Sequence, residues 1–493
     1  MFEALRRSTK WIVLIVVITF VGTLVYVGGV NLWGGGSAGA TAVVAEVNGE
    51  PLQAAQLNSQ LAYRIDLLQA QGARVGGLTR EAVRYDALQD LVLYQLQQQA
   101  AKAMKVAVDP AEVDQQVDAI RAQFPDRETY RSTLRQMGLN ETHVRRQVEE
   151  SLRLRNLREQ VTAQVEVSDE EVARAYEAVH LRQLFIEADP DDAEGWREAR
   201  ATAEALRERL AAGATFAEVA ADGEAVESDL GWVTRASTLP AALVEAGFRL
   251  AEGEISPPVE TANGFRILQA VAWRRAEGEA FEAEREQLEA QLLAQKRQEA
   301  YQAWLRERQE EAQLVIHDPT LRALHHLAEG ELEAAEEAFR QAIASDPQNP
   351  YLHGLLAQVL NRQGDQEGAI VAAQQAVATF DRDPDLYLLL GNLLREADRD
   401  DEAVAAYQKA SDLSPYDLTL HLNLYGTYLQ MGREEEAAQV RARLQEIQEL
   451  LQRRQALQEE LEAEASEEQA GAEASPQAGE APEADPEAEA AQP

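Results

Sequence analysis

Gly330-Glu331-Leu332-Glu333-Ala334-Ala335-Glu336-Glu337-Ala338-Phe339-Arg340-Gln341-Ala342 opens a period that organises a large part of the chain. Gly330, Gly364, Asp398 and Gly432 recur at intervals of 34 residues. Ala335, Ala369, Ala403 and Ala437 stand five residues after them, and Ala342, Ala376 and Ala410 twelve after the first three. Phe339 and Tyr407 keep the phase, as do Pro347 and Pro415, and small residues return at Ala357 and Gly391. A period of this length is one helix-turn-helix unit, which buries its apolar face only by stacking on the next. Four units are expected, at about 317–349, 350–383, 384–417 and 418–450. Asp398 departs at the turn, and Arg441 and Leu444 depart in the last unit, as a capping repeat would.

Composition agrees with a mainly α, multidomain protein. Alanine, glutamate and glutamine are abundant and arginine far outnumbers lysine, which favours long helices. The formal charge is −39, from 85 acids against 46 bases, and such a balance speaks against nucleic acid as a partner. Cysteine is absent, which removes disulfides, thiolate metal sites and cysteine nucleophiles. No phosphate loop, nucleophile elbow or metal-spaced cluster occurs, so neither a metal nor another cofactor is expected.

Upstream, Arg6, Arg7 and Lys10 precede an uncharged run over residues 11–30. Twenty residues of helix span about 30 Å, one hydrocarbon core. Residues 1–10 then read as a cytoplasmic flank, 11–30 as a transmembrane anchor and 31–41 as a Gly/Ser linker, with the bulk of the chain on the extracytoplasmic side. Cleavage as a signal peptide is the alternative, although the apolar run is long for one.

Residues 41–178 read as a helical domain. A short strand ends at the Asn48-Gly49 turn. Thr79, Asp109-Pro110, Asn140 and Ser168 are helix-start signals. Ala45-Glu46-Val47-Asn48-Gly49-Glu50-Pro51-Leu52, the stretch from Leu91 to Val108, Gly138-Leu139-Asn140 and Val167-Ser168-Asp169-Glu170-Glu171-Val172 together resemble the SurA N-terminal chaperone domain. With the anchor in front, the layout is similar to membrane-tethered folding factors of the PpiD and PrsA type. That resemblance implies that the long helix expected over 279–316 packs back and completes the domain.

Residues 179–274 resemble a parvulin-type prolyl isomerase domain. The matching phrases are Gln183-Leu184-Phe185, Gly213-Ala214-Thr215-Phe216, Asp229-Leu230-Gly231-Trp232, Gly253-Glu254-Ile255-Ser256-Pro257-Pro258-Val259 and Asn263-Gly264-Phe265-Arg266-Ile267-Leu268. The resemblance implies a polar floor of two histidines, an acid or cysteine and a hydroxyl. Carried over by position, the histidines fall on Gln183 and Arg266, and the hydroxyl on Thr261. The loop that bears the acid is short, with Asp222 as a poor stand-in. Leu239, Leu243 and Phe248 map to the apolar proline pocket. Sliding the strand to use His180 would turn every side chain to the other face. Arginine is permanently charged and donates only, so it cannot imitate imidazole. The expectation is a parvulin fold with no catalytic residue in place.

The 34-residue units are similar to tetratricopeptide repeats, which implies a groove for peptides or partner helices. Asn392 and Asn423 fall at groove positions, either as a backbone-binding pair or as two solvated asparagines. His353 and His421 fit core packing better than metal binding. From about 457 the chain carries twelve acids and no base and has no large apolar residue after Leu461, so 457–493 is expected to be an unstructured acidic tail. Together the resemblances imply an anchored folding chaperone. Its clients would be unfolded or newly translocated proteins, and its repeats would meet a partner such as the Sec translocon. An active prolyl isomerase and an envelope scaffold without chaperone activity are the alternatives.

Overall fold

The computed structural model describes residues 42–473, and the anchor, the linker and the chain beyond residue 473 lie outside them. Among the described residues no helix is long and apolar enough to cross a membrane. The molecule is mainly helical, with two small antiparallel sheets and a helical repeat array. The described residues divide into two compact units, one joining residues 42–92 to residues 313–473 and the other Leu93–Ala312.

The chain enters through strands β1 (Val43–Val47) and β2 (Glu50–Gln53). Their hairpin turns on Asn48 and Gly49, both at positive φ (52° and 80°), the pair a two-residue type I′ turn demands. Helices α1 (Ala54–Ala70) and α2 (Gly77–Ala103) follow. Thr79 lies inside the first turn of α2 rather than at its cap, the one- or two-residue drift usual at helix ends.

Each of the next helices starts on a residue that satisfies its free amide groups. Asp109 caps α3 (Pro110–Ala122) and Asp126 caps α4 (Arg127–Gln136). Asn140 caps α5 (Glu141–Val161) and Ser168 caps α6 (Asp169–Tyr176), both with reciprocal capping boxes. Strand β3 (Ala178–Glu187), helices α7 (Ala193–Ala211) and α8 (Phe216–Ala220), strand β4 (Val226–Thr234), helix α9 (Ala241–Arg249) and strands β5 (Val259–Thr261) and β6 (Gly264–Arg274) form an α+β body. Its sheet has the order β4-β3-β6-β5.

Helix α10 (Gly278–Glu311) then returns to the earlier helices. Phe281 packs with Val172 and Tyr176 of α6. The Tyr301 hydroxyl donates to Gln97 Oε1 at 3.0 Å, and Arg158 of α5 lies over its ring at 4.9 Å. Lys296 Nζ donates to Glu171 Oε1 and to the Glu166 carbonyl, each at 2.7 Å.

Strand β7 (Leu314–Ile316) closes the first sheet, in the order β2-β1-β7. Asn48 fixes that return twice: its amide donates to the Gln313 carbonyl, and its side-chain oxygen accepts from the Gln313 amide, both at 2.9 Å. Eight helices follow in pairs: α11 (Pro319–Ala328) with α12 (Leu332–Ser345), α13 (Pro350–Gln363) with α14 (Gln366–Thr379), α15 (Pro384–Glu396) with α16 (Asp400–Leu413), and α17 (Leu418–Gln430) with α18 (Glu434–Glu473). The in-phase alanines 335, 342, 369, 376, 403, 410 and 437 are all buried, and Phe339 and Tyr407 fill the spaces between helices.

Two features depart from the sequence reading. Residues 42–92 cluster with the repeats rather than with the other early helices, because the first sheet takes its third strand from residues 314–316 and because α2 contacts the repeats. Residues 457–473, expected in the unstructured tail, continue α18 to Glu473. Their richness in alanine and glutamate suits a helix that already has a long packed start.

Candidate functional site

One face of the four-stranded sheet gathers most of the residues singled out in the parvulin-like segment. Pleating puts alternate residues on one side, and the register pairs Gln183 with Leu268, Phe185 with Arg266, and Arg266 in turn with Val259. On the other side of β3, Gln183 pairs with Ser228 of β4. Gln183, Arg266 and Ser228 therefore share a face with Val179, Leu181, Leu268 and Ala270, and that face packs on α9.

The apolar part of the face is intact. Leu243 is fully buried in its core, with Leu239, Phe248 and Val259 half-buried around it. Phe248 meets Trp273 edge-on at 5.4 Å and carries Arg235 over its ring at 4.2 Å, while the Trp273 indole donates to the Leu250 carbonyl at 3.1 Å. Leu243 is thus a core residue, and Leu239 and Phe248 form the rim a ligand would meet.

The polar part is rebuilt. Gln183 is 9% exposed, and its amide nitrogen donates to Ser228 Oγ at 2.9 Å. Its Oε1 is buried and finds no partner among the described residues. Arg266 donates from Nη2 to Asn263 Oδ1 at 3.2 Å and stacks on the Phe185 ring at 4.5 Å, yet its buried Nε has no partner either. Burial alone pulls the Arg266 guanidinium below its ordinary pKa, its partners being the neutral Asn263 amide and the Phe185 ring. The Thr261 hydroxyl is used within the β5–β6 hairpin, its one proton directed to the Gly264 carbonyl at 2.8 Å with Asn263 Oδ1 at 3.3 Å beside it. Thr261 and Arg266 thus share Asn263, while Gln183 looks across to Ser228.

Asp222 is spent on an ion pair with Arg209 of α7, at 2.6 Å. His180 lies three residues before Gln183, on the opposite face of β3, and hydrogen-bonds Asp229 Oδ1 at 2.8 Å. The Gly231 amide and then His180 hold the Asp229 carboxyl below its usual range. The register keeps Leu181 fully buried, so His180 does not enter the floor.

In the repeats, Asn392 is exposed and its Oδ1 accepts from the Tyr407 hydroxyl at 2.8 Å, while Asn423 is exposed on α17. His421 is fully buried, with Nδ1 on the Asp417 carbonyl at 2.7 Å and Nε2 on Ser411 Oγ at 3.0 Å, a satisfied core histidine. Sequence reasoning passed over a different cluster. Asp383 and Asp417 cap α15 and α17, Asp385 stands in the first turn of α15, and Arg74 ion-pairs with Asp417 at 2.7 Å and Asp385 at 3.5 Å. Ser228 was also missed. It stands where the resembled motif keeps glycine, and only the register reveals that it faces Gln183.

Comparison with known proteins follows the same divisions. Residues 1–158 match the model of the SurA-like N-terminal domain, residues 167–286 that of the PPIC-type PPIase domain, and residues 320–385 and 371–417 that of the tetratricopeptide repeat. The chaperone SurA of Alcanivorax borkumensis is 28% identical over 247 residues, which cover 46% of this chain and 56% of that protein. The chaperone SurA of Chromohalobacter salexigens is 27% identical over 255 residues, covering 48% and 58%. The chain thus spans little more than half the length of these curated relatives. Among solved structures, the peptidylprolyl isomerase PrsA from Bacillus cereus aligns at 18% identity and a TM-score of 0.29, covering 57% of this chain and 96% of that one.

Proposed function

We infer that this chain, which carries a SurA-like N-terminal domain, a PPIC-type domain and tetratricopeptide repeats, is a folding chaperone, held at the membrane by residues 11–30 and working on the extracytoplasmic side. Its clients are unfolded or newly translocated proteins. The PPIC-type domain serves as a binding surface without isomerase turnover, and the repeats recruit a partner.

The observation that carries this reading is the sheet face: an apolar rim of Leu239 and Phe248 beside a floor of Gln183 and Arg266. A prolyl isomerase must favour the twisted amide over both planar states, against a barrier of about 18–20 kcal/mol set by amide resonance. Neither residue at the two resembled histidine positions passes between donor and acceptor as an imidazole nitrogen does. The Gln183 amide is committed to Ser228, and Arg266 only donates. Gln183 Oε1 and Arg266 Nε find no partner among the described residues but are both buried, so what the face presents to a chain is its apolar rim. Such a surface holds a chain without twisting it.

The test is suppression of aggregation. The full chain, in detergent micelles, is mixed with chemically unfolded citrate synthase during dilution, and light scattering is followed. The reading expects scattering to fall at equimolar chain, and Phe248→Glu, with unchanged circular dichroism, to weaken the effect. Scattering unaffected by the chain would favour the envelope scaffold instead.

A further inference from the structure

The first helices of three of the repeat pairs, α13, α15 and α17, carry an occupant drawn from the chain itself. From the link between α1 and α2 into the first turn of α2, Ala73-Arg74-Val75-Gly76-Gly77-Leu78 runs against α13, α15 and the start of α17. Three separate contacts seat it. Arg74 bridges Asp385 of α15 and Asp417 at the cap of α17. A Cβ on Gly77 would stand 1.9–2.5 Å from ring carbons of Tyr351, and one on Gly76 would stand 1.8 Å from Asp385 Oδ2. Neither glycine sits at positive φ, so close approach, not a turn, is what requires them. Leu78 lies over Gly354 of α13, where an added Cβ would meet its Cδ2 at 2.9 Å. Tyr351 itself is fixed by a 2.9 Å hydrogen bond to Asp383.

We propose that the row of first helices in the repeat array is a binding site for an extended peptide that carries an arginine followed closely by glycines, and that residues 73–78 fill it in cis. The selectivity is readable in the site. Asp383, Asp385 and Asp417 converge on the arginine position, so an acidic peptide is refused. The Tyr351 ring and Gly354 leave room for bare backbone and then for one apolar side chain. Charges settle which carboxylate leads. Burial pushes Asp417 up, but the Leu420 amide and Arg74 outweigh it and hold it below its ordinary range, whereas Asp385 stays above its own because burial and its acidic neighbours outweigh Arg74. Asp417 is therefore the principal counter-ion of Arg74. A trans peptide has to displace the cis segment, and its apparent affinity falls by the fraction of chains whose site is open. The inference rests on the reading of the repeats as a partner-binding surface and not on chaperone activity.

The experiment uses the full chain and a fluorescein-labelled peptide of residues 71–80, read by fluorescence anisotropy. Gly77→Val forces a side chain into Tyr351 and should release the cis segment, and Arg74→Gln removes its anchor without touching the fold of the repeats. Both variants should bind the peptide at least tenfold more tightly than the unaltered chain. Adding Asp385→Asn with Asp417→Asn to Arg74→Gln should abolish that gain, and so should replacing arginine by glutamine at the peptide position matching Arg74. Equal peptide binding by the unaltered chain and Arg74→Gln, or a gain that survives loss of both aspartates, overturns the proposal. A chain that suppresses aggregation yet binds no peptide fails here alone, leaving the chaperone reading standing.

Discussion

Two arginines, one in each unit, show how differently this chain treats a charge. Arg74 lies in a loop, 45% exposed, and has two carboxylates within ion-pairing distance. Burial would lower its pKa, but the hydrogen bond to Asp417 and the surrounding acids raise it. Arg266 lies in a strand, stacked on Phe185, with a buried Nε that has no partner and with burial alone shifting its pKa downward. Around Arg74 the sequence supplies everything the charge needs, including two glycines that let the backbone approach. Around Arg266 it supplies an aromatic face and one asparagine. The first arrangement is what a built contact looks like. The second is a charge held by stacking and one amide, beside apolar packing that supplies it no counter-ion.

Four outcomes would break or sharpen that contrast. The largest effect is expected at Gly77→Val. Overpacking against the Tyr351 ring should cost about 1–3 kcal/mol in the unit holding the repeats, read by urea unfolding. An effect near zero would mean that the segment lies loosely and that the Arg74 contact is incidental. Next, Ser228→Ala strips the hydrogen-bond partner from the buried Gln183 amide and should cost about 1–2 kcal/mol. Third, the two arginines should respond with opposite signs. Arg74→Leu should destabilise by about 0.5–1 kcal/mol, a small value because the pair is solvent-screened. Arg266→Met, which removes a partly buried unpaired charge and keeps contact with Phe185, should be neutral or stabilise by up to about 1 kcal/mol. Equal losses at both sites would erase the contrast.

The smallest effect is a pH dependence where α10 meets α6. Hydrogen bonds from Lys296 and Ser168 hold the Glu171 carboxyl at about 2, below its ordinary 4.5. A depressed carboxylate contributes stability that is present in full above its unfolded value and lost as pH falls through the folded one. The contact should therefore weaken between about pH 4.5 and pH 2. Lys296→Gln should raise the Glu171 titration midpoint toward its ordinary value, measured by carboxyl-detected NMR.

What the sequence made legible was what it encodes locally. The repeat period places Ala335, Ala369 and Ala403 at helix crossings, and all three are fully buried. Short motifs such as Asn48-Gly49, Asp109-Pro110 and Ser168 to Glu171 carry their own turns and caps. The positions of Gln183 and Arg266 were readable because the segment is dense in motif residues. Ser228 was not, since its partner depends on a register that shifts by a bulge between Leu181 and Arg182. The seat of residues 73–78 was hidden for a stronger reason: Arg74 and Asp417 lie 343 positions apart, and no period or motif joins them. Residues 457–473 were misread because low hydrophobicity was allowed to outweigh helix propensity at the end of a helix already under way.

The most direct test of the account is prolyl cis/trans exchange in a proline tetrapeptide, followed by NMR with the full chain at catalytic concentration beside an active parvulin. The account predicts the uncatalysed exchange rate from the chain while its PPIC-type domain is folded. Acceleration that disappears when Leu239, Leu243 and Phe248 are disrupted would contradict it, and would mean that Gln183, Ser228 and Arg266 form a working floor.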